Sequence, residues 1–167
     1  GAWLMVDEAH ATGLYGEQRR GMVEEFAVAD LVEVQMGTLG KALGAAGGYV
    51  CGSRTLVDLL VNRARPFMFS TAPVPAQAAA ARAGVELVQS AEGEKRRTAL
   101  WSLVDRLKNG LIGRGWKLPP VRSAILPLMV GGEAAAVELS ERLLETGVWV
   151  PAIRYPTVAR GAARLRL

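Results

Sequence analysis

Residues 37–48 read GTLGKALGAAGG and place one lysine, Lys41, in a loop built almost wholly of small residues. A second stretch, VDEAHATG at 6–13, ends an apolar run at Asp7 and carries the only histidine of the chain, His10, three residues later. The apolar run before Asp7 predicts a strand buried on both faces, as in parallel sheets. Because ligands bind at the carboxyl ends of strands in such sheets, the two stretches together predict a functional site.

Hydrophobic patterning predicts the secondary structure around these two stretches. Short apolar runs bounded by glycine predict two further strands, at 30–35 and 47–53, and apolar residues at helical spacing predict a helix over 54–65. Strands that alternate with helices indicate an α/β layer with a mainly parallel sheet. We therefore expect residues 1–75 to belong to one α/β domain.

The pattern changes after Pro75. Ala-rich and amphipathic stretches predict connecting helices over 76–112, with a break at Gly93. Strand, helix and strand patterns follow within 113–167, where the helix covers 133–146. This last part predicts a small α+β domain.

The composition is that of a soluble globular protein, with 50% hydrophobic and 22% charged residues in a chain of 167. The net charge of +4 comes from 20 basic residues scattered among 16 acidic ones, which does not form a nucleic-acid-binding surface. No apolar run reaches the length of about 18 residues that a membrane span needs. The chain opens directly in a strand pattern without an initiator methionine, so we expect it to begin within a longer protein.

Cys51 is the only cysteine. No internal disulfide can form, and a reducing, cytoplasmic location is expected. Because Cys51 lies in an apolar run, we expect a buried and unreactive thiol rather than a nucleophile.

Two motifs that resemble these stretches are excluded by the residues around them. The letters DEAH are found in helicases, but nucleotide hydrolysis also needs a phosphate-binding loop of the form G-x-x-x-x-G-K-[ST]. Gln35 stands where that loop would need its first glycine, and Ala42 follows the lysine. A zinc site at His10 would need further histidine or cysteine ligands nearby, so we expect no metal.

Pyridoxal 5'-phosphate (PLP) fits the residue types of both stretches. Its aldehyde condenses with a lysine amine, and an acid keeps its pyridine nitrogen protonated. Asp7 at a strand end suits the second task, and the glycine and alanine residues around Lys41 leave the amine room to move. An isolated lysine would more often be a solvated surface amine, and an isolated strand-end aspartate a cap. The two together favour the PLP site.

Several motifs in the same order resemble the α-oxoamine synthase family. VDEAHATG is followed about thirty residues later by T-x-G-K-x-x-G-x-x-GG, and the resemblance continues through FMFSTAPVPAQ at 67–77, GVWVPAIRYPTV at 147–158 and ARLRL at 163–167. The resemblance implies the PLP-dependent transferase fold type I. Residues 1–75 would then be the carboxyl-terminal part of the PLP-binding large domain, and 113–167 part of the small domain.

The resemblance implies roles for five residues near the cofactor. Asp7 would pair with the pyridine nitrogen, and His10 would hydrogen-bond the ring hydroxyl oxygen. Thr38 would bind the phosphate, and Lys41 would form the Schiff base and then act as the base toward the α-proton. Thr71 would reach the phosphate of the neighbouring subunit, which implies a homodimer with shared active sites.

Three further residues would contact substrates. By resemblance, Arg166 would hold the amino-acid carboxylate, and Thr157 would contact substrate. Arg154 would lie near the acyl chain or its carboxylate. Strand alternation predicts that Arg164 and Arg166 share one face, with Leu165 on the other.

The family joins an amino acid to an acyl thioester with loss of carbon dioxide. The segments NRARPFMFSTAPVPAQ and SERLLETGVWVPAIRYPTV are most similar to members that join L-alanine to a pimeloyl thioester in biotin synthesis, giving 8-amino-7-oxononanoate. The alternatives are family members that make 5-aminolevulinate or 2-amino-3-ketobutyrate, and a non-catalytic subunit. We expect an enzyme without nucleic-acid or membrane partners, and we expect this chain by itself to be inactive.

Overall fold

A computed structural model of the chain describes residues 1–120 and 122–167, which form two compact units, Gly1–Arg97 and Thr98–Leu167. A short 3₁₀ helix covers Ala29–Leu31. The strands and helices, in chain order, are β1 (Met5–Asp7), α1 (Met22–Glu25), β2 (Val34–Thr38), β3 (Gly48–Gly52), α2 (Arg54–Arg63), α3 (Arg65–Met68), α4 (Pro75–Gln89), α5 (Ala91–Ile112), β4 (Pro127–Gly131), α6 (Glu133–Glu145), β5 (Ala152–Ile153) and β6 (Ala163–Arg166).

The first unit contains a three-stranded sheet in the order β1-β2-β3. β1 and β2 are parallel, with Asp7 opposite Met36, whereas β3 is antiparallel to β2, with Thr38 opposite Gly48. The expectation of parallel strands therefore holds for the first pair. Only residues 39–47 join β2 to β3, which is fewer than the dozen or so that a parallel crossover needs, so the connection reverses direction.

The first strand is less buried than its apolar sequence predicts. Met5 is 58% exposed and Val6 is half-buried, so the prediction of burial on both faces is wrong for the described chain. β1 is an edge strand of the described sheet, and β2 is its only partner there. The strand predicted at 30–35 begins later, at Val34, because the 3₁₀ helix precedes it.

Strand alternation separates two groups of side chains on this sheet. Asp7, Met36 and Thr38 share one face, whereas Tyr49 and Cys51 lie on the other. Cys51 is exposed, so the expectation of a buried thiol is wrong. Its strand is bounded by glycines, which provide no side chains to cover the thiol.

The junction between α4 and α5 falls at Ser90 rather than at the predicted break, Gly93. Ser90 has extended backbone angles, and its hydroxyl oxygen accepts a hydrogen bond from the Gly93 amide at 3.2 Å, which caps the new helix. Gly93 lies within α5, where a Cβ atom would be 2.3 Å from the Leu87 carbonyl oxygen. The glycine therefore permits close packing between the two helices instead of ending one.

The second unit contains an antiparallel sheet in the order β4-β6-β5, packed on α6. Leu128, Val150 and Leu165 form its buried cluster. Leu165 is 1% exposed, whereas Arg166 next to it is exposed, as strand alternation predicts.

Candidate cofactor site

Asp7 and Thr38 end two neighbouring parallel strands and point to the same face of the sheet. The Asp7 side chain is exposed, and its Oδ1 accepts a hydrogen bond from the Ala9 amide at 2.8 Å. Thr38 Oγ1 donates to the Gly47 carbonyl at 3.2 Å and accepts from the Gly40 amide at 3.1 Å. The pair is thus a carboxylate and a hydroxyl at one sheet edge, each oriented by a local turn.

His10 lies in the turn that follows β1. The Ala11 and Thr12 amides both donate to the Glu8 carbonyl at 2.9 Å, which fixes the course of this turn. The imidazole is exposed, and within residues 1–120 and 122–167 it has no hydrogen-bond partner. It is therefore free to bond a ligand.

Glu8 is the one charged side chain among the described residues that is buried, at 2% exposure. Its two carboxylate oxygens accept hydrogen bonds from the Met22 and Val23 amides, both at 2.8 Å. These bonds satisfy two backbone donors at the start of α1 and compensate for burying the charge. Glu8 thereby ties the turn that carries His10 to the far end of the loop 8–21.

An ion cluster holds the same loop against α4 and α5. Arg19 donates through Nε to the Val88 carbonyl at 2.6 Å and also pairs with Glu94. Arg97 pairs with Glu94 at 2.9 Å and donates to the Gly16 carbonyl at 2.7 Å. Hydrogen bonds from Arg97, and then from Arg19, hold the pKa of the Glu94 carboxyl below its ordinary value of 4.5.

Lys41 lies in the loop 39–47, called here the lysine loop. Its backbone closes on itself, since the Leu39 amide donates to the Gly47 carbonyl at 2.9 Å and the Ala45 amide donates to the Leu39 carbonyl at 2.8 Å. The Lys41 side chain is exposed, and no carboxylate among the described residues pairs with it. The backbone is thus fixed while the amine stays available.

Two glycines allow other segments to pack directly against the lysine loop. A Cβ atom on Gly84 of α4 would lie 2.2 Å from the Leu43 carbonyl oxygen, and a Cβ atom on Gly13 would lie 2.8 Å from the Ala42 Cβ. Leu43 itself is buried. The loop is therefore held between α4 and the segment after β1, which also carries His10.

Thr71 lies between α3 and α4 in an irregular segment and is exposed. In the second unit, Arg154 lines a shallow surface pocket together with Glu133, Glu138 and Glu141. The Thr157 amide donates to the Arg154 carbonyl at 3.0 Å, which closes the turn after β5. Arg166 projects from β6, and its backbone amide donates to the Pro151 carbonyl at 3.1 Å.

Comparison with known protein families identifies the family of the chain. The model of the family "Aminotransferase class I and II" matches residues 1–167. The chain belongs to the aminotransferase class I and II family.

Curated relatives of the chain include 8-amino-7-oxononanoate synthases. An 8-amino-7-oxononanoate synthase from Anaeromyxobacter dehalogenans is 51% identical over the whole chain. The chain spans 42% of the length of that relative and of the one from Bordetella petrii. No described helix is both long and apolar enough to cross a membrane.

Solved structures of family members have the same fold. A variant of serine palmitoyltransferase from S. paucimobilis, with bound PLP-myriocin aldimine, matches at a TM-score of 0.92 and 28% identity over 99% of this chain and 42% of that one. An 8-amino-7-oxononanoate synthase from Francisella tularensis matches at 0.86 and 26% identity over 98% and 48%. The chain therefore has the architecture of PLP-dependent fold type I enzymes.

The residues of the first unit fit PLP. The chemistry of the donor set is an unpaired amine at Lys41, a carboxylate at Asp7, a hydroxyl at Thr38 and a free imidazole at His10, all within Gly1–Arg97. PLP needs an amine for its aldehyde, an acid for its ring nitrogen and donors for its phosphate. Each need has a matching group here.

Sequence reasoning missed the residues that support this aminotransferase-family site. Glu8 was not singled out, and neither was Gln77, whose side-chain amide donates to the Ala46 carbonyl of the lysine loop at 2.8 Å. Gly13 and Gly84 were not singled out as packing positions. Glu8 stands beside Asp7 in the motif that was singled out, and this position was the available signal. Gln77 and Gly84 have no local signal, because their partners lie about 31 to 41 residues away in the chain.

Proposed function

We propose that the protein containing this chain is a PLP-dependent α-oxoamine synthase that joins L-alanine to a pimeloyl thioester, giving 8-amino-7-oxononanoate for biotin synthesis. The observation that carries the proposal is the set of Asp7 and Thr38 on one sheet face, with Lys41 in a fixed loop immediately after β2. The names of the relatives support the choice of reaction. Because the chain spans 42% of their length, the activity is proposed for the whole protein.

Bound PLP supplies an electron-withdrawing ring that stabilises negative charge at the substrate α-carbon. The Asp7 carboxylate keeps the ring nitrogen protonated, and His10 hydrogen-bonds the ring hydroxyl oxygen. Thr38 binds the phosphate by turning its O–H, which donates to the Gly47 carbonyl in the free chain, toward a phosphate oxygen. The Lys41 amine binds the cofactor, accepts the α-proton of the amino acid and later returns a proton.

The reaction forms a carbon–carbon bond between the α-carbon of alanine and the acyl carbon. It breaks the carbon–sulfur bond of the thioester, and carbon dioxide leaves from the amino-acid carboxylate. Arg166 binds that carboxylate, a group that suits guanidinium. Thr157 contacts substrate, and Arg154 recognises the distal end of the acyl chain.

The working enzyme is a homodimer in this proposal. Thr71 contacts the phosphate of the cofactor bound by the neighbouring subunit. The position of Thr71 supports this role, because the residue is exposed in an irregular segment and its hydroxyl has no hydrogen-bond partner among the described residues.

Covalent attachment of the cofactor tests the first part of the proposal. The full-length protein is incubated with PLP, treated with borohydride and mapped by peptide mass spectrometry, alongside Lys41→Ala and Lys95→Ala. Lys95 is the control, because it is an exposed lysine near the start of α5. We expect the wild type and Lys95→Ala to be labelled at Lys41, and Lys41→Ala to be unlabelled. Labelling of Lys41→Ala at another lysine would refute the assignment.

Substrate choice is a separate measurement on the same preparation. Product formation and carbon dioxide release are followed with alanine and pimeloyl thioesters, and with glycine and shorter acyl thioesters. Preference for glycine would favour the alternatives that make 5-aminolevulinate or 2-amino-3-ketobutyrate. PLP attachment without turnover of any pair would favour a non-catalytic subunit.

A further inference from the structure

Gln77 makes a hydrogen bond to the lysine loop from a distant helix. Its side-chain amide Nε2 donates to the Ala46 carbonyl oxygen at 2.8 Å, across 31 residues of sequence. The same nitrogen would lie 3.8 Å from a Cβ atom placed on Gly47, so the amide lies over this end of the loop. The contact fixes the end of the loop that leads into β3.

Among the described residues, no other side chain distant in sequence forms a hydrogen bond to the lysine loop. The remaining hydrogen bonds of the lysine loop are made by its own backbone and by Thr38, the residue before it. Contacts from Gly13 and Gly84 are steric and therefore set how close the neighbours come, without fixing the loop by a directed bond. Among the described residues, Gln77 is thus the one residue distant in sequence whose side chain forms a hydrogen bond to the lysine loop.

The helix that carries Gln77 is well suited to hold the side chain still. α4 begins at Pro75, whose ring fixes the backbone angle at the first helical position, and Gln77 is two residues further on. The backbone amide of Gln77 donates to the Val74 carbonyl at 3.0 Å within the first turn. Gly84, two turns later, brings the same helix against Leu43.

We propose that Gln77 is a positioning residue for the Schiff-base lysine: by holding Ala46, it sets the orientation of the lysine loop and thereby the direction of the Lys41 amine. The inference rests on the function proposed above for Lys41. Gln77 itself need not touch cofactor or substrate. Loss of its bond loosens the loop and slows the coupling of Lys41 to PLP.

The test compares Gln77→Leu with Gln89→Leu in the full-length protein. Gln89 is the matched control because it is an exposed glutamine at the other end of the same helix. The first readout is hydrogen exchange of the Leu39 and Ala45 amides in the apo protein, which reports loop closure directly. The second is the rate of PLP attachment to Lys41, trapped by borohydride. We expect both to change by roughly two- to ten-fold in Gln77→Leu, the range for one neutral hydrogen bond.

Gln77→Glu serves as a second variant, because it keeps the size of the side chain but presents a carboxylate that cannot donate to a carbonyl. It should change both readouts at least as much as Gln77→Leu, and it remains informative if the leucine variant does not fold. The inference would be overturned if the Gln77 variants had the same amide exchange rates and the same rate of PLP attachment as Gln89→Leu. Failure of wild type to attach PLP would instead refute the proposed function, while the exchange measurement would still decide whether Gln77 holds the lysine loop.

Discussion

Replacing Gly84 by alanine would insert one methyl group between α4 and the lysine loop. The new Cβ atom would lie 2.2 Å from the carbonyl oxygen of Leu43 and 3.1 Å from its Cα. Both are backbone atoms, so no side-chain rotation relieves the contact. Either the helix or the loop must move by about 1 Å to restore ordinary van der Waals separation.

Two opposing effects decide the sign of the stability change. Alanine in a helix interior is favoured over glycine by about 1 kcal/mol. Overpacking a tight contact typically costs about 1–3 kcal/mol, and a clash with backbone belongs at the upper end. The clash should prevail, which gives a net loss of up to about 2 kcal/mol in the free energy of unfolding.

Gly110→Ala is the matched control, because Gly110 is also helical and its nearest neighbour to a new Cβ would be the end of the Arg114 side chain at 3.7 Å. Urea unfolding of both full-length variants should give opposite signs, with Gly110→Ala stabilised by about 0.5–1 kcal/mol. PLP affinity should fall only in Gly84→Ala, since only there is the lysine loop displaced. Equal stabilisation of the two variants would refute the close packing described above.

Three further predictions follow from other contacts. Glu8→Gln should destabilise the full-length protein by about 1.5–3 kcal/mol, because an amide supplies one acceptor where two amides donate; Glu17→Gln in the same loop is the control, and equal urea midpoints would contradict the prediction. The pKa of Glu94 is depressed in the folded protein, so its ion pairs contribute fully above pH 4.5 and are lost as the pH falls through the lower folded-state value; Glu94→Gln should therefore flatten the acid limb of a stability–pH curve, and an unchanged limb would argue against it. Arg166→Ala should raise the KM for alanine, and Arg154→Ala should raise the KM for the pimeloyl thioester, each by about thirty- to a hundred-fold. This is the effect of losing one charged hydrogen bond of about 2–3 kcal/mol. Steady-state kinetics with both substrates varied would contradict the prediction if each variant instead raised the KM of the other substrate.

The sequence predicted the parts of the fold that depend on local patterns. The helix over 133–146 was found as α6 (Glu133–Glu145), and the alternation of Leu165 and Arg166 was confirmed, because both follow from periodicity within one segment. The site residues Asp7 and Lys41 stood out because their motifs are short and contiguous. Their proposed roles remain predictions until the cofactor is measured.

Features that depend on distant partners were mispredicted or missed. Burial of Met5 was predicted from its apolar neighbours, but burial depends on which elements cover the strand. The break at Gly93 was predicted from glycine's low helix propensity, whereas packing against Leu87 selects glycine there and Ser90 ends the helix. Gln77 was missed for the same reason, because its partner lies 31 residues away.

Asp7 and Glu8 illustrate how adjacent residues of like charge come to have opposite tasks. The strand ends between them, so Asp7 keeps its place on the face shared with Thr38, while Glu8 turns into the loop and is buried. The longer glutamate side chain spans the loop to the Met22 and Val23 amides, and an aspartate there would be one methylene too short. The shorter aspartate remains close to its own backbone, where the Ala9 amide orients one oxygen and leaves the other for a ligand. The order of the two acids therefore follows from reach: the buried acid secures the loop that holds His10, and the exposed one is left to bind the cofactor nitrogen that we propose for it.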